Sequence, residues 1–144
     1  MGGHAWLYFV PYQPDILAAL QALRRREFEA GRYNPVVRFP MDLDAPSPGA
    51  QHASIEEAME ASDADGTRSI LDMERIDHSP GPGVVVPLPP EKLEELYDTQ
   101  QPTRKMIEQN MEFLEDIERG EGVYVIVYKE GKPSEIFFAG FSYD

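Results

Sequence analysis

The residues of this 144-residue chain with chemistry to offer are three histidines, a long series of carboxylates and a set of tyrosines. The histidines are His4, His52 and His78. None stands in an H-x-H or H-x-x-x-H pair, so no local metal motif is present. His52 and His78 fall in polar, Pro/Gly-rich stretches, the kind of loop on which catalytic groups are often carried. A mechanism there would use a loop histidine as general base and an acid such as Asp72 or Glu74 to orient it. His78 lies between Asp77 and Ser79, but side chains of sequence neighbours diverge, and triads are assembled across a fold. The catalytic candidates are therefore His52, His78 and Asp72, and nothing in their spacing demands a reaction.

Other signatures are missing. Asp63-Ala64-Asp65-Gly66-Thr67 looks like part of a calcium loop. With Gly66 at position 6, however, Ala61 falls where the first oxygen ligand belongs and Asp72 where a bidentate Glu belongs. The segment reads as an Asp-Gly turn, and no metal is expected. There is no G-x-G-x-x-G, no G-x-x-x-x-G-K-[ST] and no G-x-S-x-G, so no cofactor is expected either.

Charge is the strongest signal. The formal net charge is −13, from 26 acidic and 13 basic residues. Between Asp42 and Asp98 there are 14 acids against 3 bases. Such a field repels nucleic acid and anionic membranes and draws in basic partners. The expectation is an acidic docking surface built on Glu56, Glu57, Glu60, Asp63 and Asp65. It would meet a basic protein as an inhibitor or immunity protein meets a nuclease-like toxin, with association speeded by electrostatic steering. The chain has no cysteine, which fits a reducing compartment. No apolar run reaches the ~18 residues of a membrane span. The first ten residues lack a signal-peptide pattern, and Trp6 stands where N-terminal acylation needs Ser or Thr. A soluble cytoplasmic protein is expected.

The elements that must position these groups follow from pattern. Residues 5–12 have strand composition, ended by Pro11 and Pro14. A helix is predicted from Pro14 to about Ala30, with Ile16, Leu17, Leu20, Leu23 and Phe28 as its buried stripe and Gly31 as its stop. Arg24-Arg25-Arg26 reads as its solvated, dipole-favoured end. Residues 34–53 read as irregular, with an extended piece at Val36–Phe39. Ser54-Ile55-Glu56-Glu57 is a capping box opening a helix through Ala61. Asp63–Gly66 reads as a turn, Ser69–Ile76 and Val84–Leu88 as strands, and residues 77–83 as a rigid loop. Helices are predicted at Pro90–Tyr97 and Pro102–Arg119. The rest forms a β-hairpin turning at Glu130-Gly131. The fold class is α+β, one compact domain over residues 1–144, order β-α-α-β-β-α-α-β-β, with a mostly antiparallel sheet and about four helices.

Strand parity adds one constraint. Residues alternate faces along a strand, and both faces of the first strand and of the hairpin are apolar. An antiparallel sheet with one wet face would alternate instead. Both faces are therefore expected to be covered, by helices, by the long loop or by a second subunit. Trp6, Tyr8, Tyr124 and Tyr128 share one face and carry polar tips. They fit core packing with a polar rim, a ligand pocket or an interface. Three functional classes stay open: a protein-binding module, a small enzyme or ligand-binding domain with a pocket between the Tyr-rich face and loop 40–53, and a homo-oligomer, in its simplest form a homodimer, that buries one sheet face.

Overall fold

The computed structural model describes residues 5–33, 49–61 and 69–142. The extended piece expected at Val36–Phe39 and the turn at Asp63–Gly66 lie outside the described residues, as do His4 and Tyr143. The fold is α+β around one five-stranded sheet. Strands β1 (Ala5–Pro11), β2 (Arg75–Ile76), β3 (Val84–Pro87), β4 (Gly122–Lys129) and β5 (Lys132–Phe141) lie in the order β1-β5-β4-β3-β2. β1, β5 and β4 pair antiparallel, whereas β4, β3 and β2 pair parallel. The sheet is thus mixed, with most of its paired residues antiparallel as expected. The parallel pairing of β3 with β4 follows from their connection, which carries helices over one face, as a parallel crossover requires, whereas β2 and β3 pair parallel through two residues each across the short loop 77–83.

Helix α1 (Ile16–Ala30) begins at Asp15, whose carboxylate accepts the Ala18 N–H at 3.0 Å, and ends at Gly31 with φ +80°. Leu20 and Leu23 are buried, but Leu17, expected in the buried stripe, is 46% exposed. Arg24 and Glu27 take buried positions instead. These lie four and seven residues beyond Leu20, so the helical period itself turns them inward.

Two predicted elements change type. Ser69–Asp72 is a 3₁₀ turn, and only Arg75–Ile76 of the expected strand pairs. Ile70, Leu71 and Met73 are all fully buried. Alternation would put Ile70 and Met73 on opposite faces. A 3₁₀ turn eclipses i and i+3, and both enter the same core cluster while Leu71 enters another.

The predicted helix at Pro102–Arg119 is also divided. It consists of α4 (Arg104–Gln109) and a 3₁₀ turn at Glu112–Asp116. Asn110 divides them. Its side chain accepts the Glu112 N–H at 3.1 Å and donates to the Leu96 carbonyl at 3.3 Å. Local side-chain bonds of this kind compete with the helix ladder. The Asn110 carbonyl accepts the Tyr97 hydroxyl at 2.6 Å, which ties this break to the end of α3 (Pro90–Tyr97).

Two layers cover the sheet. Under α1 lie Trp6, Tyr8, Val10, Val85, Ile136 and Phe138, with Ile70 and Met73. On the other face Val123, Val125, Val127, Phe137 and Ala139 pack against Tyr97, Ile107 and Phe113. Helices therefore fill both faces, the first of the coverings expected from strand parity. Burial pushes the Tyr97 hydroxyl up to about 12.

Trp6 is fully buried and pairs in register with Gly140, which in turn pairs with Gly122. A Cβ on Gly122 would stand 2.5 Å from Trp6 Cη2. One on Gly140 would stand 2.6 Å from Trp6 Cζ2 and would also strike the Glu121 carbonyl. The indole lies in a slot that two absent side chains leave open. At the hairpin, Glu130 and Gly131 both have positive φ, +53° and +79°, the geometry of a two-residue type I′ turn.

Two outcomes follow. Gly122→Ala and Gly140→Ala overpack the slot, so each lowers stability in urea by about 1–3 kcal/mol, with Gly140→Ala the worse because it meets backbone as well. Equal stability to wild type would mean that Trp6 is not seated there. Tyr97 binds its proton more tightly folded than unfolded, so its contribution is complete below pH 10, where the free phenol titrates, and is lost as pH rises toward about 12. Stability measured across that window falls, and Tyr97→Phe flattens the fall; an unchanged slope would contradict the burial of this hydroxyl.

Candidate functional site

The C-terminal end of α1, the chain returning at Gly49 and helix α2 (Ile55–Glu60) meet in one place. Glu27, Arg32 and Tyr33 project from the helix end and the turn after it, and all three are buried. Glu27 accepts from Arg32 Nε at 2.8 Å and Nη2 at 2.7 Å, a bidentate pair out of water. The Gly49 N–H donates to the Ala30 carbonyl at 2.8 Å, and the Gly49 backbone fills the space where a Gly31 Cβ would lie. Gly31 is therefore required twice, by its left-handed backbone and by this close approach.

This return brings His52 to Tyr33. The Tyr33 hydroxyl accepts the Gln51 N–H at 2.9 Å and lies 2.9 Å from His52 Nδ1. With the imidazole neutral and protonated at Nε2, Tyr33 donates to Nδ1 while accepting from Gln51, so its oxygen is satisfied on both sides. The Phe28 ring stacks on Tyr33 at 5.5 Å. Ala58, fully buried, and the half-buried Ile55 and Met59 complete this cluster with Leu71.

Arg24 forms the adjoining wall. Its Nη2 donates to the Leu71 carbonyl at 3.0 Å and its Nη1 to Gln21 Oε1 at 2.8 Å. Nε is buried without a partner. Burial lowers the Arg24 pKa, opposed by the charges of Glu74, Asp72 and Glu56. The guanidinium remains a cation in this setting, held by acids on two elements.

Above this buried layer, α2 presents its acids outward. Ser54 Oγ accepts the Glu57 N–H at 3.2 Å, and the Glu57 carboxylate accepts the Ala53 N–H at 3.3 Å. This is the capping arrangement read from sequence, with Glu57 reaching the residue before the cap. Glu56, Glu57 and Glu60 are exposed. Among the described residues no ion pair engages them.

The structure thus brings some of the sequence candidates together and leaves others apart. His52 is half-buried in the Tyr33 cluster, Asp72 is buried at the 3₁₀ turn beside Leu71, and His78 is exposed in the loop after β2. Trp6 and Tyr8 lie in the core, while Tyr124 and Tyr128 are half-buried. Burial pushes the Tyr124 hydroxyl up. Asp63 and Asp65 fall outside the described residues. Of the Arg24–Arg26 run, Arg25 and Arg26 are exposed as expected and Arg24 is not. Sequence reasoning passed over Glu27, Arg32 and Tyr33. The helical period from Leu20 pointed to Glu27, but a lone buried acid needs a cation that only the turn after the helix supplies. Among the described residues no group of His, Asp and Glu could hold a metal ion, and no helix is long and apolar enough to cross a membrane.

No family model, curated protein or solved structure matches this chain.

Glu27→Gln removes the negative charge that pairs with Arg32 in this buried position, at a cost of about 3–5 kcal/mol. Tyr33→Phe strands the Gln51 N–H and is expected to cost about 1–3 kcal/mol. Urea denaturation reads both; a Glu27→Gln loss below that of Tyr33→Phe would mean that the pair is not the anchor of this region.

Proposed function

We propose that this chain is an acidic protein-binding module that docks onto a basic partner through the outer face of α2. The observation that carries the reading is the division of charge on either side of this helix. Its apolar residues seat on Tyr33 and Leu71, while Arg24, within reach of the Glu56 charge, and Arg32, paired with Glu27, are turned inward. Its three glutamates face water at i, i+1 and i+4 without ion pairs among the described residues. A capped helix presenting exposed carboxylates attracts a cationic surface at long range.

A second reading, a small ligand-binding or catalytic site, has one specific support. His52 is held against a buried tyrosine hydroxyl on the loop where the sequence reading put the pocket. A bound small molecule there would perturb the His52 ring resonances in an NMR titration.

The docking reading is tested by capture from native lysate at low and high salt, with wild type beside Glu56→Lys/Glu60→Lys. Glu57 is left in place because it caps the helix. The expected result is a basic protein retained at low salt, released at high salt, and bound at least about tenfold more weakly by the double variant, or roughly 1.4 kcal/mol. Retention indifferent to both salt and charge reversal would remove the reading.

A further inference from the structure

A cleft of about 290 Å³ lies between the end of β1 and α1. Its floor is Val10, Ala19 and Leu23, all buried. Tyr12, Ala22 and Arg26 line it from exposed positions. The sequence accounts for the hollow. Residues 19, 22, 23 and 26 stand at i, i+3, i+4 and i+7 of α1, so they share one face of the helix. Two of the four are alanines, and the space a larger side chain would fill against the strand stays open. On the other side β1 ends at Pro11, and the Tyr12 N–H holds the chain to the sheet through the Ser134 carbonyl at 3.1 Å.

Three polar side chains at this cleft hydrogen-bond to no other described residue: the Arg26 guanidinium, the Tyr12 hydroxyl and the Gln13 amide. Arg26 is the telling one. Its Nε stands 3.9 Å from Glu27 Oε2, and that carboxylate already accepts two bonds from Arg32. Both Nη groups of Arg26 are left uncommitted. Glu29, one turn further along the helix, pairs with neither Arg25 nor Arg26. Arg24, Arg32 and Arg104 each hold an acceptor. In a chain with 26 acids and 13 bases, an arginine without a hydrogen-bonded carboxylate at an apolar hollow is the exception.

We propose that this cleft binds a small monocarboxylic acid whose apolar body is a single ring or a branched chain. The apolar part lies over Val10, Ala19 and Leu23. The carboxylate meets Arg26, whose planar fork matches two carboxylate oxygens, and Tyr12 and Gln13 supply further donors. The size fits. An apolar cavity of about 150 Å³ takes up benzene, so 290 Å³ has room for a ring and a carboxylate arm. Charge narrows the class. A cation is repelled by Arg26 directly, and a neutral apolar molecule leaves the guanidinium unused. A phosphate monoester brings a double charge to one guanidinium, and the net −13 opposes it twice as strongly as a monoanion. For a monoanion the distant acids are largely screened beyond about 8 Å at physiological salt, whereas Arg26 is in contact. The site does not use α2, so it stands or falls separately from the docking face.

The test is an NMR titration of the isotope-labelled full chain with phenylacetate, with phenylacetamide as the neutral control. Saturable shifts are expected at Tyr12, Gln13, Ala19 and Ala22 and at Arg26 Nε, with the acid bound at least about tenfold more tightly than the amide. Arg26→Met keeps an apolar stem at an exposed position and is expected to abolish the difference between acid and amide. Ala22→Leu, also at an exposed helix position, fills the cleft and weakens both. Circular dichroism checks that the variants are folded, and the comparison of acid with amide on the wild-type chain needs neither of them. Absence of saturable shifts at these residues overturns the proposal. Equal binding of acid and amide, or a preference for the acid that survives Arg26→Met, overturns it as well.

Discussion

Trp6 over Gly140 and Gly122 is the contact on which the rest of the structure depends. One indole spans three strands, and it does so because both facing positions lack a Cβ. The row sits where β1, β5 and β4 run antiparallel, next to the point at which the sheet turns parallel. α1 then closes over the indole with Ala19, Leu20 and Leu23. Its small residue near the start and larger ones further on follow the height left by Trp6 and Tyr8. The cost is a buried indole N–H with no hydrogen-bond partner, accepted in exchange for the large apolar area of the ring.

Helices packed on both faces leave the sheet largely enclosed. At the C-terminus of α1 the buried polar groups have an anchoring role. Glu27 and Arg32 hold the turn after the helix, Arg24 holds the 3₁₀ turn through the Leu71 carbonyl, and Tyr33 holds the returning chain through Gln51 and His52. Removing charge inward from this region leaves α2 with an acidic outer face. A buried pair does little for net stability against an apolar alternative; here its geometry defines where three separate segments meet.

Much of the architecture was legible. The aromatic run at residues 5–12, the Gly31 stop of α1, the Ser54 cap and the Glu130-Gly131 turn each rest on local chemistry that the tertiary fold did not override. The failures share a cause. Ser69–Ile76 read as a strand because its apolar residues are dense, yet Ile70 and Met73 enter one core and Leu71 another, which a tight turn allows and strand alternation does not. Pro102–Arg119 kept a helical period across Asn110, whose bonds to Leu96, Tyr97 and Glu112 arise from a neighbouring helix and the following turn that sequence does not place. Leu17 was expected in the buried stripe and is exposed, while Glu27, which no apolar pattern marks, is buried because its cation comes from the turn after the helix. The parallel pairing of β3 with β4 depends on a crossover, and strand composition alone does not report direction. For the candidate site, His52 was visible as a residue type, but Tyr33, Arg32 and Glu27 become a site only through the return of the chain at Gly49.

The acidic outer face of α2 depends on an interior that is shut, and the chain carries a single tryptophan to report on it. Fluorescence emission of Trp6 with acrylamide quenching is the most direct measurement. A seated indole gives blue-shifted emission and little quenching until the protein unfolds. Red-shifted emission that acrylamide quenches freely in the native state would contradict the slot over Gly122 and Gly140, and with it the closed sheet from which the rest follows.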